Sequence, residues 1–396
     1  MTGERISNGE ATGASATGSL GGITVVDLSR VLGGPYATQI LGDHGAHVVK
    51  IEPPQGDETR AWGPPFYRDD IAWYYAGVNR NKEVRTLDLR TDAGQAQLRV
   101  LLADADVLVE NFKPGTLEKW GLGYDALSVD FPRLVHCSVT GFGEDGPLGG
   151  MPGYDAVAQA MSGLMSVNGT PETGPTRIGM PAVDMITGLN AVNGIMMALW
   201  ERSVSGRGQR VETTLFDCAL SVMHPHMPNL FGTGRPAART GNDHPNIAPY
   251  STYATGEGDL FIAVGNDRQF ARLCERIGVP QVVEDARFAT NADRSVHREE
   301  LRAELEAAML AFEAVALGEA LMADGVPAGP ILDSAQAAAH PHTAHREMII
   351  EMDGGYRGVA SPVKLSRTPA TYRISPGGAD AVDQVQTTAD QPLMSD

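Results

Sequence analysis

The chain has 396 residues, of which 42% are hydrophobic and 20% charged, ordinary values for a soluble globular protein with room for two or three domains. Its 49 acidic residues outnumber 31 basic ones, giving a formal net charge of −18. That balance argues against nucleic acid as the main partner and against docking on anionic membranes, since both require a basic surface.

Residues 1–22 are rich in Gly, Ser, Thr and Ala and read as a disordered tail, as do residues 376–396. No basic segment followed by an apolar core opens the chain, so no signal peptide is expected. No apolar run approaches the roughly 20 residues that span a bilayer. Cys137, Cys218 and Cys274 are far apart and include no C-x-x-C pair. They fit a reducing cytoplasm better than a disulfide framework.

From residue 23 short β-branched runs alternate with helical patterns. ITVVDL (23–28), AHVVKIE (46–52), EVRTLDL (83–89), DVLVENF (106–112) and RLVHCSVTGFG (133–143) read as strands. YATQILGDHG (36–45) and DAGQAQLRVLLADA (92–105) read as helices, the second opening at the cap residue Thr91. This alternation implies βαβ units and a doubly wound, mainly parallel α/β sheet. Such sheets bind ligands beyond the carboxyl ends of their strands, which makes 29–35, 53–60, 89–91 and 111–116 the candidate ligand loops. The turn after the first strand reads SRVLGGPYA, without G-x-G-x-x-G, and no P-loop is present. A dinucleotide-binding reading is weakened accordingly.

Residues 178–202, IGMPAVDMITGLNAVNGIMMALWER, pass from a loop into a long helix. Met185, Ile186, Leu189, Val192, Met196 and Leu199 recur on one helical face, and the Met-rich run reads as core. The first turn holds one carboxylate, Asp184, and no base. Free backbone N–H groups and the helix dipole are expected to keep it ionised, which suits a nucleophile and equally suits an N-cap. Residues 205–223 read as turn, strand and helix. Residues 224–258, rich in Pro, Gly, Asn and His, read as a linker, followed by a smaller α/β section over 259–334 and a strand pair within 348–366. His340, His342 and His345, like His224 and His226, lack the further ligands of a metal centre, so no metal is expected.

Taken in order, DLSRVLGGPYATQILGDHGAHVVKIEPPQGDETR (27–60), NRNKEVRTLDLR (79–90), DVLVENFKPGTLEKWGLGYD (106–125), PGYDAVAQAMSG (152–163), Asp184, SGRGQRVETTLFD (205–217) and GNDHPNIAPY (241–250) resemble the class III (CaiB/BaiF-like) CoA-transferases. That family shares its fold with the α-methylacyl-CoA racemases. The resemblance implies a large Rossmann-like domain built from both chain ends (23–223 plus 335–375), a small middle domain (259–334) and an interlocked homodimer. CoA contacts carry over to Val31, Leu32 and Gly33, to Leu87 and Arg90, to Asn111, Phe112 and Lys113, and to Lys119 and Trp120. Tyr154 and Asp155 are expected to wall or orient the site. Arg90, Lys113 and Lys119 suit phosphates, and Leu87, Phe112 and Trp120 suit an adenine, although alone the three cations read as solvated surface charges. Where the family carries a Pro-Leu-Gly-Glu-His-like C-terminal run, this chain reads ISPGGADAVDQ.

Position 154 separates two chemistries within that resemblance. The racemases need two acid/base groups, and the His of their G-H-D run matches Tyr154 here. Tyrosine, with an ordinary pKa of about 10, is a poor proton acceptor at neutral pH. The transferases use the aspartate matching Asp184 as a nucleophile toward an acyl-CoA, with no permanently bound cofactor and a carboxylic acid as second substrate. A CoA-transferase is therefore the leading expectation, an acyl-CoA racemase the second, and a non-catalytic CoA-binding protein the third. Dicarboxylic acids such as succinate are common substrates in the family the chain resembles.

Overall fold

The computed structural model describes residues 18–68 and 70–377. Most of the two expected tails lies outside that range. Residues 18–22 do not continue a disordered tail: Leu20 donates its N–H to the His44 carbonyl at 2.9 Å. The chain divides into two compact units, one of residues up to 162, 179–223 and from 347 on, the other of 163–178 and 224–346.

The larger unit is built on six parallel strands. In spatial order they are Lys82–Thr86, His47–Glu52, Thr24–Asp27, Val107–Glu110, Val135–Thr140 and Arg210–Thr214. The chain starts at Thr24–Asp27, winds outward on one side, then returns to Val107–Glu110 on the other. The order reverses between these two strands, so the loops after residues 27 and 110 part and leave a crevice, the usual ligand site of such a sheet. Strands Val107–Glu110 and Val135–Thr140 are buried along their whole length, as β-branched strands covered on both faces should be.

The helix expected over 36–45 begins earlier, at Gly33, and runs to Asp43. Gly33, Gly34 and Pro35 look like a turn in sequence, yet a first helical turn needs no N–H from proline. Against it packs the 24-residue helix Ala182–Ser205. By length and composition this helix is apolar enough to cross a bilayer, contrary to expectation. Here it lies on the sheet, and its buried face is also not the expected one. Val183, Thr187, Gly188, Ala191, Ile195 and Ala198 face inward. Leu189 and Met196, two of the residues assigned to the core face, are exposed, as are Met197, Trp200 and Val204. The small residues win because the two helices meet backbone to backbone: a methyl on Gly188 would lie 2.7 Å from the Gly33 carbonyl oxygen.

Of the atypical run ISPGGADAVDQ only residues 374–377 are among those described; the segment leading to it packs on the same unit. The hairpin Ile349–Met352 with Tyr356–Val359 buries Tyr356 beside the rings of Trp73 and Tyr67. Asn81 then receives the backbone N–H of Arg373 at 2.7 Å and donates its own to the Ile374 carbonyl at 2.8 Å.

The smaller unit pairs strands Ala328–Pro330, Asp259–Ala263 and Tyr250–Ala254 in an antiparallel sheet. Helices Asp267–Arg276, Arg298–Met309 and Ala314–Ala323 close a core around Leu260, Phe270, Leu305 and Leu321. The stretch 224–258 belongs to this unit and is more than a linker: it carries helix His226–Thr233 and strand Tyr250–Ala254. Its Pro, Gly and Asn residues serve the turns around these short elements.

Replacing Gly188 by alanine should force the two helices apart and cost about 1–3 kcal/mol of stability, read as a lower urea midpoint at unchanged slope. An unchanged midpoint would mean the helix contact is not tight.

Candidate active site

The crevice at the strand-order reversal is a cleft of about 270 Å³ lined by Arg30, Val31, Leu32, Gly33, Glu58, Asn111–Pro114, Val139–Gly141, Met151–Tyr154, Asp184 and Leu215. Its first wall is the loop after Thr24–Asp27. Val31 there has φ 69°, a left-handed backbone that a β-branched residue adopts only under constraint. The second wall is the loop after Val107–Glu110. The Asn111 side chain joins the two walls, accepting the Arg30 N–H at 2.9 Å and donating to the Arg30 carbonyl at 2.7 Å. Both ends of that amide are thus used in shaping the cleft. Glu110 fixes the same loop by accepting the Phe112 N–H at 2.8 Å.

Asp184 enters from the first turn of Ala182–Ser205 and stands against the first wall. A methyl placed on Gly33 would lie 3.3 Å from the Asp184 carbonyl oxygen and 3.8 Å from its Oδ1. Asp184 does not cap its helix, whose N-cap position is Pro181, without a side-chain bond. The capping group comes from elsewhere. Asp155, buried at the start of helix Asp155–Met161, accepts the N–H groups of Val183 at 2.8 Å and Asp184 at 3.2 Å on one oxygen, while Gln159 donates to the other. The Asp184 carboxylate itself has no hydrogen-bond partner among the described residues, and it is half-buried.

This arrangement reverses the expected electrostatics. Burial, and next the like charge of Asp155, push the Asp184 carboxyl up to about 7. The N–H groups expected to hold it ionised are engaged by Asp155 instead. Tyr154, expected to wall or orient the site, is 58% exposed and lines the cleft.

Of the other expected contacts, Val31, Leu32, Gly33, Asn111, Phe112 and Lys113 come together in the cleft. Leu87, Arg90, Lys119 and Trp120 do not line it. Leu87 and Trp120 pack with Phe112 on one hydrophobic cluster, Trp120 meeting Phe112 edge to face at 5.7 Å. Arg90 forks onto Asp88 and is exposed, and Lys119 is exposed. Sequence reasoning missed Arg30 and Glu58, an ion pair at 3.7 Å on the cleft wall. It also missed Tyr74. Burial, then Asp184 and Asp155, raise the Tyr74 hydroxyl above its ordinary range. Its ring packs on Trp62 at 5.1 Å. Of the two tyrosines in WYYAG, Tyr75 is buried and Tyr74 is 38% exposed, and nothing in that run marks which one turns outward.

A strained loop and an unpartnered, raised carboxylate at the switch point of a parallel sheet define a site for covalent or acid–base chemistry. Comparison with known proteins gives the class. The model of CoA-transferase family III matches residues 20–381. A succinate–glutarate CoA-transferase of Agrobacterium fabrum is 41% identical, the match covering 90% of this chain and 92% of the relative. An acetyl-CoA:oxalate CoA-transferase of Acetobacter aceti is 40% identical over the same shares. The crystal structure of a CaiB/BaiF family protein from Brucella suis superposes with a TM-score of 0.83 at 40% identity, covering 91% of this chain and 96% of the other. The chain belongs to CoA-transferase family III and is an enzyme of that class.

A nucleophilic Asp184 must be ionised. We expect kcat/KM to rise with pH through a midpoint near 7, set by the free enzyme. Asp155→Asn removes the like charge, so the midpoint should move to lower pH. A rising limb that stays in place in this variant would contradict the coupling.

Proposed function

We propose that this enzyme moves CoA from an acyl-CoA to a carboxylic acid through covalent intermediates on Asp184. An Asp184 oxygen attacks the thioester carbonyl, the C–S bond breaks, and CoA leaves as thiolate, giving a mixed anhydride. The thiolate then attacks the Asp184 carbonyl carbon and expels the first acid as carboxylate, leaving an aspartyl-CoA thioester. The incoming carboxylate attacks that carbon and releases the thiolate again. The thiolate finally attacks the new acyl carbonyl, so product acyl-CoA leaves and the Asp184 carboxylate returns. One thioester replaces another, so no nucleotide hydrolysis is required, and the exchange is split into easier steps.

The single observation carrying this reading is the Asp184 carboxylate, without a hydrogen-bond partner among the described residues, lining the cleft beside Gly33. The oxyanions formed at each attack need donors. The start of the Asp184 helix, an attractive source in sequence, is engaged by Asp155 at two of its N–H groups. The start of helix Gly33–Asp43 is a better source: it reaches the cleft, and no side chain caps it. Tyr74 supplies a further hydroxyl in the field of Asp184.

Arg30 and Lys113 are the cations of the cleft wall. They suit CoA phosphates or the second carboxylate of a dicarboxylic acid. Relatives named for succinate, glutarate and oxalate favour dicarboxylic substrates. We further propose a homodimer in the cytoplasm. Support for the dimer is the exposed apolar row Leu189, Met196, Met197, Trp200 and Val204. Support for the compartment is three free, buried thiols.

Incubation with succinyl-, glutaryl- or acetyl-CoA, quenched and read by intact mass, should show a covalent adduct that Asp184→Ala abolishes along with at least about 10³-fold of kcat. Turnover retained by that variant would end the proposal. Replacing Met197 and Trp200 by lysine and glutamate should convert the dimer to monomer in light scattering; an unchanged mass would place the interface elsewhere.

A further inference from the structure

Beneath the first wall of the cleft lie four charges with almost no access to water: Asp27, Lys50 and Lys82 at 0% exposure and Asp57 at 1%. Lys82 pairs with Asp27 at 3.0 Å, and Lys50 with Asp57 at 3.2 Å. Each ammonium also reaches a carbonyl of the cleft loop. Lys50 donates to the Ser29 carbonyl at 2.7 Å and Lys82 to the Pro35 carbonyl at 2.8 Å. Asp27 completes the grip from the other side, accepting the Ser29 N–H at 2.9 Å, the Ser29 hydroxyl, and the Thr38 hydroxyl at 2.6 Å. Asp57 holds the turn that presents Glu58 to the cleft, accepting the Thr59 N–H at 3.0 Å.

Stability alone is a poor reason for such a network. Buried ion pairs are often no better than apolar residues of similar volume, because desolvation cancels much of the attraction. What the network does hold is a loop that resists its own conformation. Val31 sits at φ 69°, and a methyl on Gly34 would meet Ser29 Cβ at 2.4 Å. A strained segment persists only where its surroundings over-determine it. The bonds to Ser29 and Pro35 bracket the strained residues on both sides, and the bracketed residues include Gly33, which touches Asp184. Burial would raise the Asp27 carboxyl, but Lys82, Lys50, Ser29 and Thr38 bring it down to about 2. Burial pulls Lys82 down to about 8 against the pull of Asp27. At neutral pH both groups are charged.

We propose that Lys82 and Lys50 are positioning residues of the CoA-transfer reaction: by gripping the loop 29–35 through its carbonyls, they set the amino end of helix Gly33–Asp43 at the place where the oxyanion forms beside Asp184. This inference rests on the reading of Asp184 as nucleophile. A displaced donor set should slow the chemical step and leave CoA binding, which uses many other contacts, nearly intact.

The test compares Lys82→Met, Ser29→Ala and Arg80→Met with the wild-type chain. Ser29→Ala keeps all four charges and removes one hydroxyl grip, so it tests the idea even if Lys82→Met fails to fold. Arg80→Met is the control: Arg80 lies in the same NRNK turn, is also buried, and pairs with Asp43 and the Val359 carbonyl instead of the cleft loop. Adduct formation with succinyl-, glutaryl- and acetyl-CoA is followed by quench and intact mass, and CoA affinity by calorimetry. We expect adduct formation to slow about 10- to 100-fold in Lys82→Met and about 3- to 10-fold in Ser29→Ala, with CoA affinity within about 3-fold of wild type. Arg80→Met should lower the melting temperature and leave the rate within about 3-fold. Wild-type rates in Ser29→Ala and in any folded Lys82→Met would overturn the inference alone, as would equal slowing in Arg80→Met. Absence of any adduct in the wild-type chain would overturn the Asp184 reading, and this inference with it.

Discussion

Two helices touching at glycine decide the geometry of this enzyme. Gly188 lets the long helix Ala182–Ser205 settle on the Gly33 carbonyl, closer than any side chain would allow. That contact brings the first turn of one helix, carrying Asp184, against the first turn of the other, whose N–H groups no side chain caps. A carboxylate and a helix start from two distant parts of the chain thereby become neighbours.

Charge distribution around that contact is the second constraint. Asp155 satisfies the start of the Asp184 helix and at the same time confronts Asp184 with a like charge. Among the described residues the Asp184 carboxylate has no hydrogen-bond partner to offset that charge. Burial and the Asp155 charge together raise the affinity of Asp184 for protons. Burial and the same two carboxylates raise the Tyr74 hydroxyl above its ordinary range.

Much of this was legible in the sequence, and the failures have physical causes. The β-branched runs and intervening helical patterns located the first five strands of the parallel sheet, and the strand-end rule pointed to loops 29–35 and 111–116 around the cleft. Asp184 stood out as the sole charge of its turn. The buried face of its helix was misread because large apolar side chains signal a core only where the neighbour leaves room for them. Here small residues allow backbone contact, and Leu189, Met196, Met197 and Trp200 remain on the surface. The ionisation of Asp184 was misjudged because a capping carboxylate 29 positions earlier cannot be recognised as a cap from local spacing. Arg30 and Glu58 were missed for a similar reason: nothing in their immediate sequence distinguishes a cleft-facing side chain from an exposed one. Arg90 and Lys119 lie on the surface of the described chain, away from the cleft.

The most direct test of the central claim follows an oxygen atom. If Asp184 forms the mixed anhydride, each turnover with a carboxylic acid labelled with heavy oxygen at both carboxyl positions must leave one labelled oxygen on the Asp184 side chain, because the thiolate's attack on the new acyl carbonyl returns the bridging oxygen to the enzyme. Peptide mass spectrometry after turnover should therefore find the label in the peptide containing residue 184 and in no other. Product formed with that peptide unlabelled would contradict the account.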